Sequence, residues 1–214
     1  MSTISSHELR IHDIFNLVAL SILCTVDIVY LTVATDWALI GSESLGSNHQ
    51  HLSSFLLVGF TLYLLVDLVW VVLVPRCVAS NPLSIIIHHL ACLLMTIIPW
   101  TEVQFSWHLA ANLLVEINTL MLTLRRNVSL GSFAYKISNG LFYVSWVVLR
   151  LVMFPALVIF FYFEYVRYSI TSGSYWNMML VAVIGEAFIT AMSFKWTIDM
   201  FVKLLSKFPS QKQS

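Results

Sequence analysis

Six long apolar stretches, at 14–35, 52–74, 83–99, 103–124, 137–162 and 177–198, occupy most of this chain. A helix needs about 20 mostly apolar residues to cross the hydrocarbon core of a bilayer, and all but the third stretch reach that length. The third spans ~25 Å at 1.5 Å per residue, which suits a thin bilayer or a partly shielded helix. The segments between them are too short for a soluble domain, and no internal repeat is visible. Of 214 residues, 59% are apolar and 10% charged, with a mean hydropathy of +0.85. Soluble domains carry about 25% charged residues, and a core of this size cannot hide such an apolar surplus from water. The expected fold is therefore all-α, a polytopic transmembrane bundle of about six spans. It divides into an N-terminal segment at 1–13, the bundle at 14–203 and a tail at 204–214.

Punctuation within the chain refines this picture. Pro99 closes the third stretch, and little beyond Trp100-Thr101-Glu102 separates it from the fourth. Pro155 falls inside the fifth stretch and predicts a kink. The first stretch is too long for the apolar core of a signal peptide and is expected to stay as an anchor. The ending Gln211-Lys212-Gln213-Ser214 carries no prenylation or luminal-retention signal. Cys24, Cys77 and Cys92 lie in or beside apolar segments without CxxC spacing and read as reduced packing residues. The formal net charge is zero, which gives nucleic acid no electrostatic attraction.

Lys and Arg orient the bundle. With six spans, Arg10, Arg76, Arg125, Arg126, Lys136, Lys203, Lys207 and Lys212 fall on one side, against Arg167 on the other. The positive-inside rule then puts both termini in the cytosol. The sequon Asn127-Val128-Ser129 falls on that same side and is expected to remain unglycosylated.

Ionisable residues stand inside the spans: Asp27, Asp67, His88, His89, Glu116, Arg150, Glu186 and Lys195. Each costs ~2.5–3.5 kcal/mol at the bilayer centre even on the lenient insertion scale, unless it is paired, neutralised or hydrated. Their neighbours share helix faces. His108, Asn112, Glu116, Thr119 and Thr123 align on the fourth span, and Asn139, Tyr143, Trp146 and Arg150 on the fifth. Glu186, Thr190, Ser193 and Thr197 align on the sixth, Tyr63 with Asp67 on the second, and His88 with Cys92 on the third. Interhelical hydrogen bonding accounts for the hydroxyls. A mixed set of acids, histidines and Arg points instead to a shared polar interior. Measured from the cytosolic ends, Asp67, His88, His89, Glu116 and Lys195 lie ~9–14 Å deep, while Arg150, Asp27 and Glu186 lie at ~20–25 Å. Two layers are expected, with Arg150 paired to Glu186 or Asp27 in the deeper one.

From Gly59 to Lys203 this order of residues resembles the TLC-domain family, which includes the ceramide synthases. The resemblance rests on Tyr63 with Asp67, on His88-His89 opening the third span, and on Glu116-Ile117-Asn118-Thr119 followed by Leu124-Arg125. Asn139-Gly140, Arg150, Pro155 and Lys195-Trp196 complete it. It implies a helical bundle around a lipid-accessible cavity in the endoplasmic reticulum, with the plasma membrane and Golgi as alternatives. In ceramide synthases the His pair serves transfer of an acyl chain from acyl-CoA to a sphingoid amine, which would cast His88 or His89 as base or acyl carrier. A second His-Asp pair of those enzymes is replaced here by Val115-Glu116, and a further Asp by Thr119. That favours the smaller members linked to phospholipid acyl composition and sphingolipid balance.

The leading expectation is a membrane protein that binds or senses lipid, with membrane lipids as its partners and no cofactor. Protein partners are not specified by the sequence. Its lipid-cavity residues would be Asp67, His88, His89, Asn112, Glu116, Thr119, Arg125, Tyr143, Arg150, Glu186 and Lys195. Arg125, Arg126 and Lys136 would form a basic rim. One alternative is an acyltransferase in which His88 or His89 works with Glu116 or Asp67, with acyl-CoA as co-substrate. Another is a transporter or channel, for which the inverted-repeat and broken-helix signature is missing. No metal site is expected, because adjacent histidines on a helix diverge by about 100° and no HExxH or Cys/His cluster occurs.

Overall fold

The computed structural model describes residues 4–34, 50–78 and 81–206, and these are helical with short connections. The 35–49 connection and residues 207–214 of the tail, with Lys207 and Lys212, lie outside the described residues. Five helical stretches are long and apolar enough to cross a membrane: His7–Val33, Gln50–Leu73, Pro82–Thr101, Phe133–Ser172 and Met178–Leu205. They belong to α1 (Ile4–Ala34), α2 (Gln50–Leu73), α3 (Pro82–Thr101), α6 (Phe133–Ser145) continuing into α7 (Phe154–Ser172), and α8 (Met178–Leu205). Their starts follow local chemistry. Asn81 caps α3 by accepting from the Leu83 amide, with Pro82 at the first helical position. Ser132 caps α6 and Asn177 caps α8 in the same way. Gly173 ends α7 at a φ of 68°, a left-handed conformation that costs Gly no steric penalty.

Helix α1 starts well before the expected boundary at residue 14. His12, Asp13, Asn16, Leu20, Leu23, Asp27, Tyr30 and Leu31 are buried along it, while Ile14, Val18, Ile22 and Val33 are exposed. The buried residues recur every three or four positions, the signature of one helix face. The outward face is the apolar one, as a lipid-facing helix requires.

The fourth apolar stretch departs from a single spanning helix. A 3-10 turn at Val103–Phe105 leads into α4 (Ser106–Leu113), which is followed by α5 (Glu116–Asn127). At the joint the amides of Val115, Ile117 and Asn118 bond carbonyls three residues back, at 3.2, 3.2 and 2.9 Å. Leu114 and Val115 keep right-handed helical angles, so the chain tightens there without turning aside. Together 106–127 cover ~33 Å at 1.5 Å per residue, which completes a bundle of about six passages.

The helices form a closed ring. Helix α1 packs on α2 and α5, α2 on α3, α3 on α8, and α8 on α7; α6, continuous with α7 through the π-helical stretch described next, returns to α5. Helix α4 lies inside the ring against α1, α2 and α3, and every residue of it except Asn112 is buried. One apolar cluster joins α1, α2 and α4, and a second joins α3, α4, α7 and α8.

Pro155 is absorbed without a break. The residues ahead of it, Trp146–Met153, form a π-helix, and the Phe154 amide bonds the Leu149 carbonyl five residues back. Lacking an N–H, Pro155 cannot continue an α-helical ladder, and the wider winding removes the conflict. Ser138, Phe142, Trp146, Arg150 and Phe154 are buried at a constant spacing of four. Tyr143, expected on the polar face, lies in α6 ahead of the π-helix, next to the inward Phe142, and is 40% exposed.

Candidate functional site

At the basic end of the ring, a chain of polar groups converges on Asp67 of α2. His12 Nε2–H donates to Asp67 Oδ1 at 2.6 Å, and His89 Nε2–H reaches Asp67 Oδ2 at 3.2 Å. The Asn16 amide nitrogen stands about equally far from both ring nitrogens of His12, 3.4 Å from Nδ1 and 3.3 Å from Nε2, and Tyr63 O–H donates to Asn16 Oδ1 at 2.9 Å. His89 Nδ1 is buried without a partner among the described residues. Beside this network, Arg126 holds Asp13 of α1 in an ion pair, and Asn127 reaches the other Asp13 oxygen at 3.3 Å. Arg125 bonds Asn139 at 3.1 Å and stacks 4.2 Å over the Phe142 ring. Arg10, Arg125, Arg126, Tyr135 and Tyr143 line an open pocket at this rim.

A second layer centres on Arg150, which corrects the expected ion pairs. Its Nε donates to Asn118 Oδ1 at 2.9 Å and one terminal nitrogen approaches Thr119 Oγ1 at 3.4 Å. The guanidinium lies 5.1 Å from the Trp146 ring and 5.4 Å from that of Trp196. Neither Glu186 nor Asp27 pairs with it. Both carboxyls are buried; that of Asp27 lacks a hydrogen-bond partner among the described residues, and that of Glu186 faces the Asn112 side chain. By its Cα, Arg150 belongs to the deep layer. Its long side chain folds back to Thr119 and Trp196 and joins the shallower one. Asn118 amide protons in turn bond the Phe142 carbonyl and Ser145 Oγ, both at 3.0 Å, so α5 is fastened to α6 there.

Between α3, α4 and α8 runs a narrow cavity lined by His88, Cys92, Met95, His108, Asn112, Glu116, Phe154, Phe161 and Ile189, among others. Its empty space is about 560 Å³ with the open mouth and the solvent beyond it included, and little of that is enclosed. The wall is mostly apolar, with Thr96 and Asn112 among the polar groups along it. His88 contacts Trp196 edge-on at 5.3 Å, and Cys92 Sγ lies 3.7 Å from His88 Nε2.

The two neighbouring histidines therefore do different things. His89 turns to Asp67 and α1, whereas His88 faces the cavity. No family model, curated protein or solved structure matches the chain. The chemistry available here is accordingly that of its own geometry: a carboxylate held by two imidazoles, a buried guanidinium held by amide and hydroxyl oxygens, and an apolar slot beside them.

Among the expected residues, Asp67 and His89 meet in the first network. Thr119 and Arg150 meet in the second. His88, Asn112 and Glu116 line the cavity, and Glu186 is buried behind it, its carboxyl facing Asn112. Arg125 and Tyr143 belong to the rim. Lys195 is not in the interior: it pairs with Asp199 at 2.7 Å on the outer face, with both side chains at least half exposed. A flexible Lys stem carries its charge towards the interface, so a lysine within a span need not face inward. His12, Asn16 and Trp196 belong to these networks and were not singled out as site residues. The period that places Leu20 and Leu23 inward also runs back through Asn16 to His12, and that was the available signal.

Proposed function

We propose that the protein is a lipid-binding membrane protein acting in phospholipid acyl-chain or sphingolipid homeostasis, with its basic end in the cytosol and the endoplasmic reticulum as its membrane. The observation that carries this reading is the slot itself. It is walled by apolar side chains inside a bundle whose outer surface is also apolar, and it offers His88 and Glu116 near one end. A hydrocarbon chain suits the middle of such a space, and a polar group suits its ends. The arginine-lined rim pocket matches a phosphate-bearing headgroup, since guanidinium forks bind phosphate oxygens in pairs. The resemblance to the TLC-domain family points the same way.

Binding is favoured over transfer by the division between the histidines. The imidazole with an orienting carboxylate, His89, does not line the slot, and the imidazole in the slot, His88, has Cys92 and Trp196 beside it. A second reading, acyl transfer from acyl-CoA, draws on the Asp67–His89 contact, which is the base-and-orienter arrangement such chemistry needs.

The test is lipid extraction from the purified protein, combined with lipidomics of cells lacking it. Co-purified lipid is expected with the wild type, with a severalfold loss in Ala182→Phe, which places a ring in the slot. Restoration of the cellular acyl-chain profile should follow the same order. Lipid no more abundant than on an unrelated membrane protein, with an unchanged lipidome, would remove the proposal. Turnover of labelled acyl-CoA that disappears in His88→Ala/His89→Ala would replace it with the enzyme reading.

A further inference from the structure

The far end of the slot has a one-sided chemistry. Along α3 the wall runs from His88 to Pro99, ~16 Å at 1.5 Å per residue, and opposite its far half stands His108 of α4. His108 is buried, sandwiched by Trp107 at 3.6 Å and Phe161 at 4.5 Å between ring centres. Its Nδ1 lies 3.1 Å from the Phe105 carbonyl oxygen. A carbonyl only accepts, so Nδ1 carries the proton and, in the neutral ring, Nε2 is a bare lone pair. That Nε2 is buried with no donor among the described residues. One turn further on, the Asn112 amide donates to the His108 carbonyl at 3.0 Å, and its side chain faces the Glu186 carboxyl. His108 and Asn112 both line the slot.

A buried acceptor without a donor in the wall of an apolar slot defines what can complete it. An ester, ether or ketone oxygen brings another acceptor and leaves it unpaired. An ammonium brings donors but must lose its hydration in apolar surroundings, which costs far more than burying a neutral group. A hydroxyl brings one donor and no charge. Resting on the lipid-binding reading above, we propose that this end of the cavity receives the hydroxyl group of a single-chain lipid alcohol, which donates to His108 Nε2 while its chain lies along the slot.

Tritiated 1-dodecanol bound to the purified full chain in a fluorinated surfactant provides the test, competed by unlabelled 1-dodecanol, dodecyl methyl ether, dodecylamine and dodecane. The alcohol should outcompete the ether by about five- to tenfold, the worth of one buried hydrogen bond, and should also outcompete the amine. In His108→Phe the alcohol and the ether should compete equally. Equal competition by alcohol and ether on the wild type would overturn the hydroxyl assignment and leave the lipid-binding reading standing, with water as the partner of His108 Nε2. Preference for the amine would overturn it in favour of a charged ligand. Absence of saturable binding by all four compounds would sink both proposals together. The comparison of alcohol with ether needs no mutant, so a poorly folded His108→Phe does not obstruct it.

Discussion

His12 donates to Asp67 across 55 residues of sequence, at 2.6 Å and in a site almost closed to solvent. This contact joins the start of α1 to the end of α2, and His89 approaches the other carboxylate oxygen from α3. Removing the carboxylate strands two imidazoles where water cannot replace it. Asp67→Ala should cost about 3–5 kcal/mol, the scale for breaking a buried pair. His12→Gln and Asp67→Asn combined in a double-mutant cycle should show a coupling of roughly 0.5–3 kcal/mol. Reversible unfolding in mixed micelles measures both, and additive effects would mean that the contact does not form.

Helices α3 and α8 meet at Gly185, where a Cβ would stand 2.7 Å from Met95 Cγ and 2.8 Å from Met95 Sδ. Small residues allow such approaches between membrane helices. Gly185→Ala should destabilise the protein by about 1–3 kcal/mol through overpacking. Met95→Ala added to it should recover part of that loss by making room. Thermal unfolding of the two single variants and the double variant checks the expectation.

Cys77 lies in the 3-10 turn Pro75–Cys77 between α2 and α3, fully buried. Burial pushes its thiol up to about 11, and the Asp67 carboxylate adds to the effect. Only the thiolate reacts with alkylating reagents. Maleimide labelling at Cys77 in the folded protein should therefore be about a hundredfold slower near neutral pH than for a thiol at its ordinary value. The linkage sign follows from a raised folded value. The stabilising contribution is complete below the unfolded thiol's titration near 9 and is lost as pH rises towards 11. Labelling of a Cys24→Ala/Cys92→Ala background across pH 7–11 measures this, and fast labelling at neutral pH would contradict the burial.

Orientation has its own assay. If the end bearing Arg10, Arg125 and Arg126 faces the cytosol, the sequon at Asn127 stays unmodified in microsomes, while a sequon engineered into 35–49 acquires a glycan. Modification of Asn127 in the wild type would invert the topology.

The apolar stretches, their number and the inward stripe Glu186, Thr190, Ser193 and Thr197 were legible from residue order, because helical period and hydrophobic length are local properties. All four of those residues are buried. The partners of Arg150 were not legible. A side chain as long as arginine reaches well beyond the level of its own Cα, and the π-helix rotates everything after Trp146 relative to an α-helical count. Lys195 shares its helix with the stripe but not its face, a distinction of 100° per residue that depth alone does not resolve.

Composition and periodicity by themselves determined that this chain is a helical bundle for a bilayer, since apolar surface on this scale has no other solvent. They also determined that its ionisable groups must be shielded. Only the tertiary structure decided which groups shield which: that α4 is enclosed by the ring, that Asp67 is shared by His12 and His89, and that His88 faces the slot. Those pairings join residues far apart in the chain, and their geometry is set by how whole helices pack.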